Sequence, residues 1–230
     1  MSDKNIVMNQ DSGEAVIAKA KDFWTKYGKV LTISSLVVIL GIGGWYGYKS
    51  FIKAPKVAKS NDAIFKAEEY FRMDSINLAL NGDGIHPGFL KVSKEYSGTD
   101  AGNLANYYAG ACYIKLNENQ KAIDYLKKFS TSSKLVQARA YKLMADAYGD
   151  LGKTKEAFDY YKKAGHEYEK DIYGSAEYLT MAAYLAQRVL NDPKAATELY
   201  KEIKDKFPNT QQAYDAENYL AQMGVYSDGK

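Results

Sequence analysis

Residues that build covalent or reactive sites are scarce in this 230-residue chain, which has one cysteine, two histidines and four prolines. A single thiol, Cys112, closes no intramolecular disulfide and assembles no cysteine-based zinc site. At a helical core position it is expected to act as a small apolar filler. His86 precedes Pro87 in a loop and His166 lies near a helix end, and neither has cysteines or acids at metal-ligand spacing. A phosphate-binding glycine loop followed by Lys and Ser or Thr, a serine elbow and paired acids in an apolar run are all missing. Asn81-Gly82-Asp83-Gly84 invites a calcium-loop reading, but the positions that would need acids hold Ala79 and Leu90, so it reads as a turn. These absences predict no catalytic residue, no metal, no cofactor and no enzyme.

Few prolines also means few helix breakers, and 21 tyrosines in a chain that is 46% apolar exclude disorder. An all-α fold is expected. The net charge of +3 is unevenly spread: residues 1–60 carry nine lysines against four acids, and the remainder carries 22 basic against 24 acidic residues. A slightly acidic domain lacks the basic face that phosphate contacts require, so nucleic acid is excluded as the main partner.

The basic segment flanks one long apolar run. Val30 to Tyr48 are nineteen residues without a charge, and at 1.5 Å per residue they reach roughly 28 Å, close to the thickness of a hydrocarbon core. Trp24 and Tyr27 precede the run, and Trp45, Tyr46, Tyr48 and Phe51 follow it, where amphipathic rings favour headgroups. A cleaved signal peptide is the rival reading. It is disfavoured by the long preceding tail and by Lys-Ser-Phe-Ile-Lys-Ala-Pro-Lys after the run, which lacks a pair of small residues. Lysines balance across the span: Lys19, Lys21, Lys26 and Lys29 against Lys49, Lys53, Lys56 and Lys59. Short tails obey the charge rule better than long folded domains, which places residues 1–29 inside and the large domain outside. Gly43 and Gly47 have the small-xxx-small spacing of a helix-packing face. Val16, Ala20, Phe23 and Tyr27 share one face, as in a short amphipathic helix along the surface.

Beyond residue 100 the chain repeats itself. Ala109-Gly110-x-x-Tyr113-x-x-Leu116-Asn117 then Ala122-Ile123-x-x-Leu126-x-x-Phe129 is echoed by Met144-Ala145-x-x-Tyr148-x-x-Leu151-Gly152 then Ala157-Phe158-x-x-Tyr161-x-x-Ala164. A looser third copy has Tyr184, Leu190, Asn191, Ala196, Tyr200, Ile203 and Pro208. Small residues mark where paired helices cross, and Asn117 and Gly152 fall where a helix end favours the left-handed conformation. The pattern resembles the tetratricopeptide repeat, which implies a right-handed stack of antiparallel helix pairs. The expected organisation is a tail over 1–29, a transmembrane helix over 30–48 and a linker over 49–60. A tetratricopeptide-like domain follows over 61–230, with a degenerate hairpin at 61–100, repeats near 101–134, 135–172 and 173–208, and a capping helix at 209–224. By repeat position, Tyr107, Ile114, Arg139, Lys142, Asp146, Tyr178, Met181 and Arg188 should face the concave, partner-binding side.

Phe23-Trp24-x-x-Tyr27-Gly28-Lys29, the glycine-ending apolar span and Gly44-Trp45-Tyr46-x-Tyr48, set before such a domain, resemble the membrane-anchored ancillary subunit of the bacterial Sec translocon. The resemblance implies an inner-membrane protein with a cytoplasmic N-terminus and a periplasmic domain. Its implied partners are Sec translocon subunits, a membrane-anchored prolyl-isomerase-like chaperone and exported clients. A scaffold or adaptor for another inner-membrane envelope complex is the alternative.

Overall fold

The computed structural model describes residues 7–225, with side chains from Gly13 onward. They divide into two units, one up to Pro55 and one from Lys56 onward.

In the first unit, α1 (Val7–Gly47) is a 41-residue helix. The window of it that is apolar enough to cross a membrane has no buried residue, and Val37, Leu40 and Ile42 are each more than 60% exposed. Apolar residues stand on every face of this stretch, and nothing among the described residues packs on them. One helix near the N-terminus is thus long and apolar enough to span a bilayer. A π-helical turn (Tyr48–Lys53) follows, closed where Ala54 N–H donates to the Lys49 carbonyl five residues back. Pro55 explains it locally: its ring crowds the carbonyl four residues earlier and it offers no N–H, so the ladder widens by one residue. Residues 49–60, expected to be a linker, are helical, because alanines and lysines offer no competing turn chemistry and the proline falls in the first turn of α2 (Ala54–Arg72), where it is tolerated.

Within the second unit, α2 buries Ser60, Ile64 and Ala67. The sequence periodicity suggests one helix from Asn61 to Leu80, but α2 stops at Arg72, and α3 (Ile76–Asn81) begins after a reversal at Asp74, whose φ is 56°. Ser75 N–H closes that end on the Tyr70 carbonyl at 2.9 Å, a bond that period-3.6 counting does not register. A loop then leads to α4 (Phe89–Glu95). Within it the Asp83 carboxylate accepts from Ile85 N–H, His86 N–H, His86 Nδ1 and Tyr70 Oη at 2.6–2.9 Å, so the turn is saturated by its own donors. The His86 and Tyr70 hydrogen bonds hold that carboxyl far below the usual range.

Three antiparallel hairpins follow: α5 (Asp100–Lys115) with α6 (Asn119–Leu126), α7 (Lys134–Asp150) with α8 (Thr154–Glu167), and α9 (Ile172–Arg188) with α10 (Pro193–Lys206). The last helix, α11 (Gln211–Gln222), packs on α10 and α9 and covers the end of the stack. The chain is all-α, an α–α superhelix of tetratricopeptide type, with no strand among the described residues. Thr99, Asp171, Asp192 and Thr210 each accept from a backbone N–H three residues on, fixing the starts of α5, α9, α10 and α11. Asn117 and Gly152 end α5 and α7 at φ 57° and 69°, and the next N–H returns to the carbonyls of Tyr113 and Tyr148. The third turn is one residue longer. Asn191 is left-handed at φ 52°, and Asp192 N–H returns to Ala186, so Ala186, fully buried, stands where Tyr113 and Tyr148 stand in the first two hairpins. Tyr184, aligned with those tyrosines by sequence, is instead 49% exposed.

Helix spacing is set by missing side chains. A Cβ on Gly110 would lie 2.5 Å from Leu126 Cγ and 3.2 Å from the Ala122 carbonyl oxygen, and one on Gly165 would lie 2.6 Å from Leu179 Cγ. Ala109, Ala122, Ala145, Ala157, Ala183 and Ala196 are all fully buried. Ile123, Leu126, Leu179 and Ile203 fill the space beside them, each contributing about 1.5–3 kcal/mol on burial. Cys112 is buried too, and burial pushes its thiol up to about 12, the behaviour of an inert filler.

Gly110→Val is expected to cost about 2 kcal/mol by overpacking against Leu126, lowering the thermal midpoint by roughly 4–8 °C for a domain of this size. Gly149→Ala, at an exposed helical glycine whose added Cβ meets nothing closer than 3.9 Å, should raise stability by a few tenths of a kcal/mol. Calorimetry of both variants checks the pair, and a neutral Gly110→Val would contradict the crossing geometry.

Candidate functional site

The first helices α5, α7 and α9 carry the residues expected on the binding face, and α7 lies beside α5. The structure draws five of the eight into one neighbourhood. Arg139 is exposed near the start of α7, close enough to act on the phenols of both Tyr107 on α5 and Tyr178 on α9. One turn on, Lys142 Nζ donates to Asp146 Oδ2 at 2.8 Å, and Lys142 also acts on Tyr178. Asp146 Oδ1 accepts from the Tyr161 hydroxyl of α8 at 2.6 Å, which ties the first helix of this hairpin to the second. Spacing alone does not show Tyr161 in this role, since fifteen residues separate it from Asp146.

Burial raises Tyr107 and Tyr178 above the ordinary phenol value, and Arg139 partly offsets it in both. Tyr161 is pushed further, first by burial and then by its bond to Asp146 and the nearby Asp150 and Glu177 carboxylates. For Lys142, burial pulls the ammonium down, but Asp146, Glu177 and Tyr178 together hold it above the lysine value. The result is a half-buried strip of phenols and paired charges around Arg139, which makes no ion pair among the described residues.

The other three stand apart from that strip. Ile114 is half-buried against the first core cluster. Tyr107 itself leans on Phe129 and Tyr108, with ring centroids 5.2 and 5.6 Å away, so its ring is largely committed to packing. Met181 (43% exposed) and Arg188 stand along α9, in company with the exposed Tyr173 and Tyr184. In α1, a Cβ at Gly43 or Gly47 would meet nothing within 4 Å, so the face they share is open among the described residues.

The fold also assembles a group that sequence spacing does not show. His166, Glu169 and Glu202 each bring one potential ligand atom within 4.8 Å of the others, Glu202 arriving from α10. His166 Nε2 is 3.0 Å from Glu202 Oε1, and Lys206 Nζ donates to Glu169 at 2.8 Å and lies 3.0 Å from Glu202. Burial raises the Glu202 carboxyl, but Lys206 and His166 outweigh it and leave it lowered. Lys206 thus already occupies this cluster as its cation.

The sequence of residues 104–132, the last three turns of α5 through α6 and into the next linker, matches the tetratricopeptide repeat family. The chain carries a tetratricopeptide repeat. No curated sequence matches it. Among solved structures it is similar to the crystal structure of MamA, with 17% identity, 69% of this chain and 85% of that chain covered, and a TM-score of 0.49. The matched repeat is the hairpin that holds Tyr107, Ile114 and the Gly110–Ala122 crossing, and the other six candidate residues lie beyond it on α7 and α9.

The Lys142–Asp146–Tyr161 strip gives a pH signature. Lys142 and Tyr161 both have raised folded values, so their stabilisation is complete below the unfolded values near pH 10 and is lost as pH rises through the folded ones. Denaturant unfolding at pH 8 and pH 11 should show wild type losing stability across that interval. Tyr161→Phe should be weaker by about 1 kcal/mol at pH 8 and should decline less; an unchanged decline would remove Tyr161 from the strip.

Proposed function

We propose that the chain is a membrane-anchored protein–protein interaction module of the bacterial envelope, an accessory subunit of the Sec translocon. In this reading residues 30–48 cross the inner membrane, residues 1–29 are cytoplasmic and the repeat domain is periplasmic. There it would work with a membrane-anchored, prolyl-isomerase-like chaperone on exported proteins. The observation that carries the proposal is the pairing of an unpacked apolar helix with a stack of hairpins whose first helices expose aromatic, methionine and arginine side chains. Stacked hairpins bind by presenting such a row to an extended partner. Exposed Tyr, Met and Arg are residues enriched at protein contacts, because they give large contact area and directional hydrogen bonds. Arg139, Lys142, Asp146, Tyr178, Met181 and Arg188 would contact client or chaperone. Gly43 and Gly47 would seat the span against a translocon helix, since small residues let backbones approach where lipid gives no hydrophobic drive.

The test is affinity purification of the full-length protein from mild detergent after crosslinking in cells. Wild type is expected to recover translocon subunits. Replacing both Gly43 and Gly47 by leucine should reduce that recovery several-fold while leaving soluble partners attached. Replacing Arg139 and Tyr178 by alanine should do the reverse. Full-length wild type that brings down no translocon subunit would refute the assignment.

A further inference from the structure

Besides the strip around Arg139, α9 carries an exposed row of its own. Tyr173, Glu177, Met181, Tyr184 and Arg188 are all exposed, and at about 100° per residue they fall within about 80° of arc, a single stripe roughly 22 Å long. None of the five makes an ion pair or a side-chain hydrogen bond among the described residues. Behind them Leu179, Ala182, Ala183 and Ala186 are fully buried, so the stripe is the outer face of a helix whose inner face is already packed. Side chains three and four residues apart along a helix are neighbours, and such a row is what a second helix lies against.

The spacing along the stripe reads the same from either end. Met181 stands four residues after Glu177, Tyr184 stands four before Arg188, and three separate the middle pair. Turned end for end about an axis level with Ala182 and Ala183, a second α9 therefore sets its Arg188 against Glu177 and its Tyr184 against Met181, and the same two pairs recur on the other side of the axis. Both charges and both apolar side chains then find a partner at once. A parallel copy in the same register would set Glu177 against Glu177 and Arg188 against Arg188, which is repulsive. Opposite charges beside an apolar seam set the direction in which helices pair, and a two-fold pair needs a surface complementary to itself.

We propose that this stripe is an interface between two copies of the chain, paired antiparallel through α9. Met181 and Arg188 also stand among the residues proposed to receive a client, so a copy and a client would exclude one another there, and the pairing does not depend on the translocon assignment. Five side chains from each copy are far fewer than the roughly 20–30 of a standard stable interface. The pairing is therefore weak, in the micromolar range, and sensitive to salt, because its direction rests on exposed charges.

Full-length protein in mild detergent carries Met181→Cys as a reporter, since Cys112 is buried, and copies bearing two different tags are joined with a short bismaleimide. Joining of one tag to the other is expected with wild-type charges and should fall at high salt. Glu177→Arg alone and Arg188→Glu alone should each cut the yield about tenfold, because each makes the two copies repel at both ends. Mixing the two variants should restore it, since every arginine then meets a glutamate of the other copy. A folding defect would not be reversed in this way. No joining with wild-type charges, joining indifferent to either swap, or a mixture that stays apart overturns the interface. In cells, joining of the reporter to a different protein in place of a second copy also overturns it, in favour of a client helix. Absence of translocon subunits from the affinity purification would refute the proposed function and leave this result standing.

Discussion

Everything in the repeat domain depends on how closely paired helices can approach. At Gly110 and Gly165 there is no room for a single added carbon, and the alanines at the other crossings are sealed from solvent. Close approach brings backbone against backbone, and the larger residues then close around the crossing without voids. The same spacing lets Tyr161 reach across from α8 to Asp146 on α7, so the polar strip inherits its geometry from the apolar crossing. A wider crossing would leave that carboxylate half-buried with one partner fewer, which is costly.

Much of the hairpin stack was legible because the constraints that build it are local. Small residues at fixed offsets, a left-handed residue at Asn117 and Gly152, and Asp192-Pro193 at a helix start are each written in a few adjacent letters. The third hairpin turns one residue later than the other two, so Ala186 takes the place of Tyr113 and Tyr148, while Tyr184, two residues earlier in the chain, faces outward. The break at Asp74 and the helical course of residues 49–60 were also hidden. Both turn on backbone hydrogen bonds, Ser75 to Tyr70 and Ala54 to Lys49, that the side-chain pattern does not encode.

The candidate face was legible only in part, because repeat position says which way a residue points and not what stands beside it. Tyr107 spends its ring on Phe129, while Arg139, an unremarkable letter in the sequence, acts on two half-buried phenols. Groups assembled across hairpins were out of reach altogether. His166 and Glu202 are 36 residues apart, and only the packing of α8 and α10 through α9 makes them neighbours.

That long-range cluster also shows how polar groups divide their work in this fold. Its members are more than a fifth exposed, as are most ion pairs on the helices, and exposed pairs contribute on the order of 0–1 kcal/mol each. Cohesion therefore comes from alanine, leucine and aromatic burial, and surface charge is free to vary without loss of the fold. Asp146 differs in what holds it, a lysine from its own helix and a neutral phenol from the next one. A charge that is both half-buried and doubly bonded cannot drift as surface pairs do, because removing either donor leaves the other bond to carry the desolvation alone. That fixed carboxylate ties α7 to α8, and so fixes where Arg139 stands on α7.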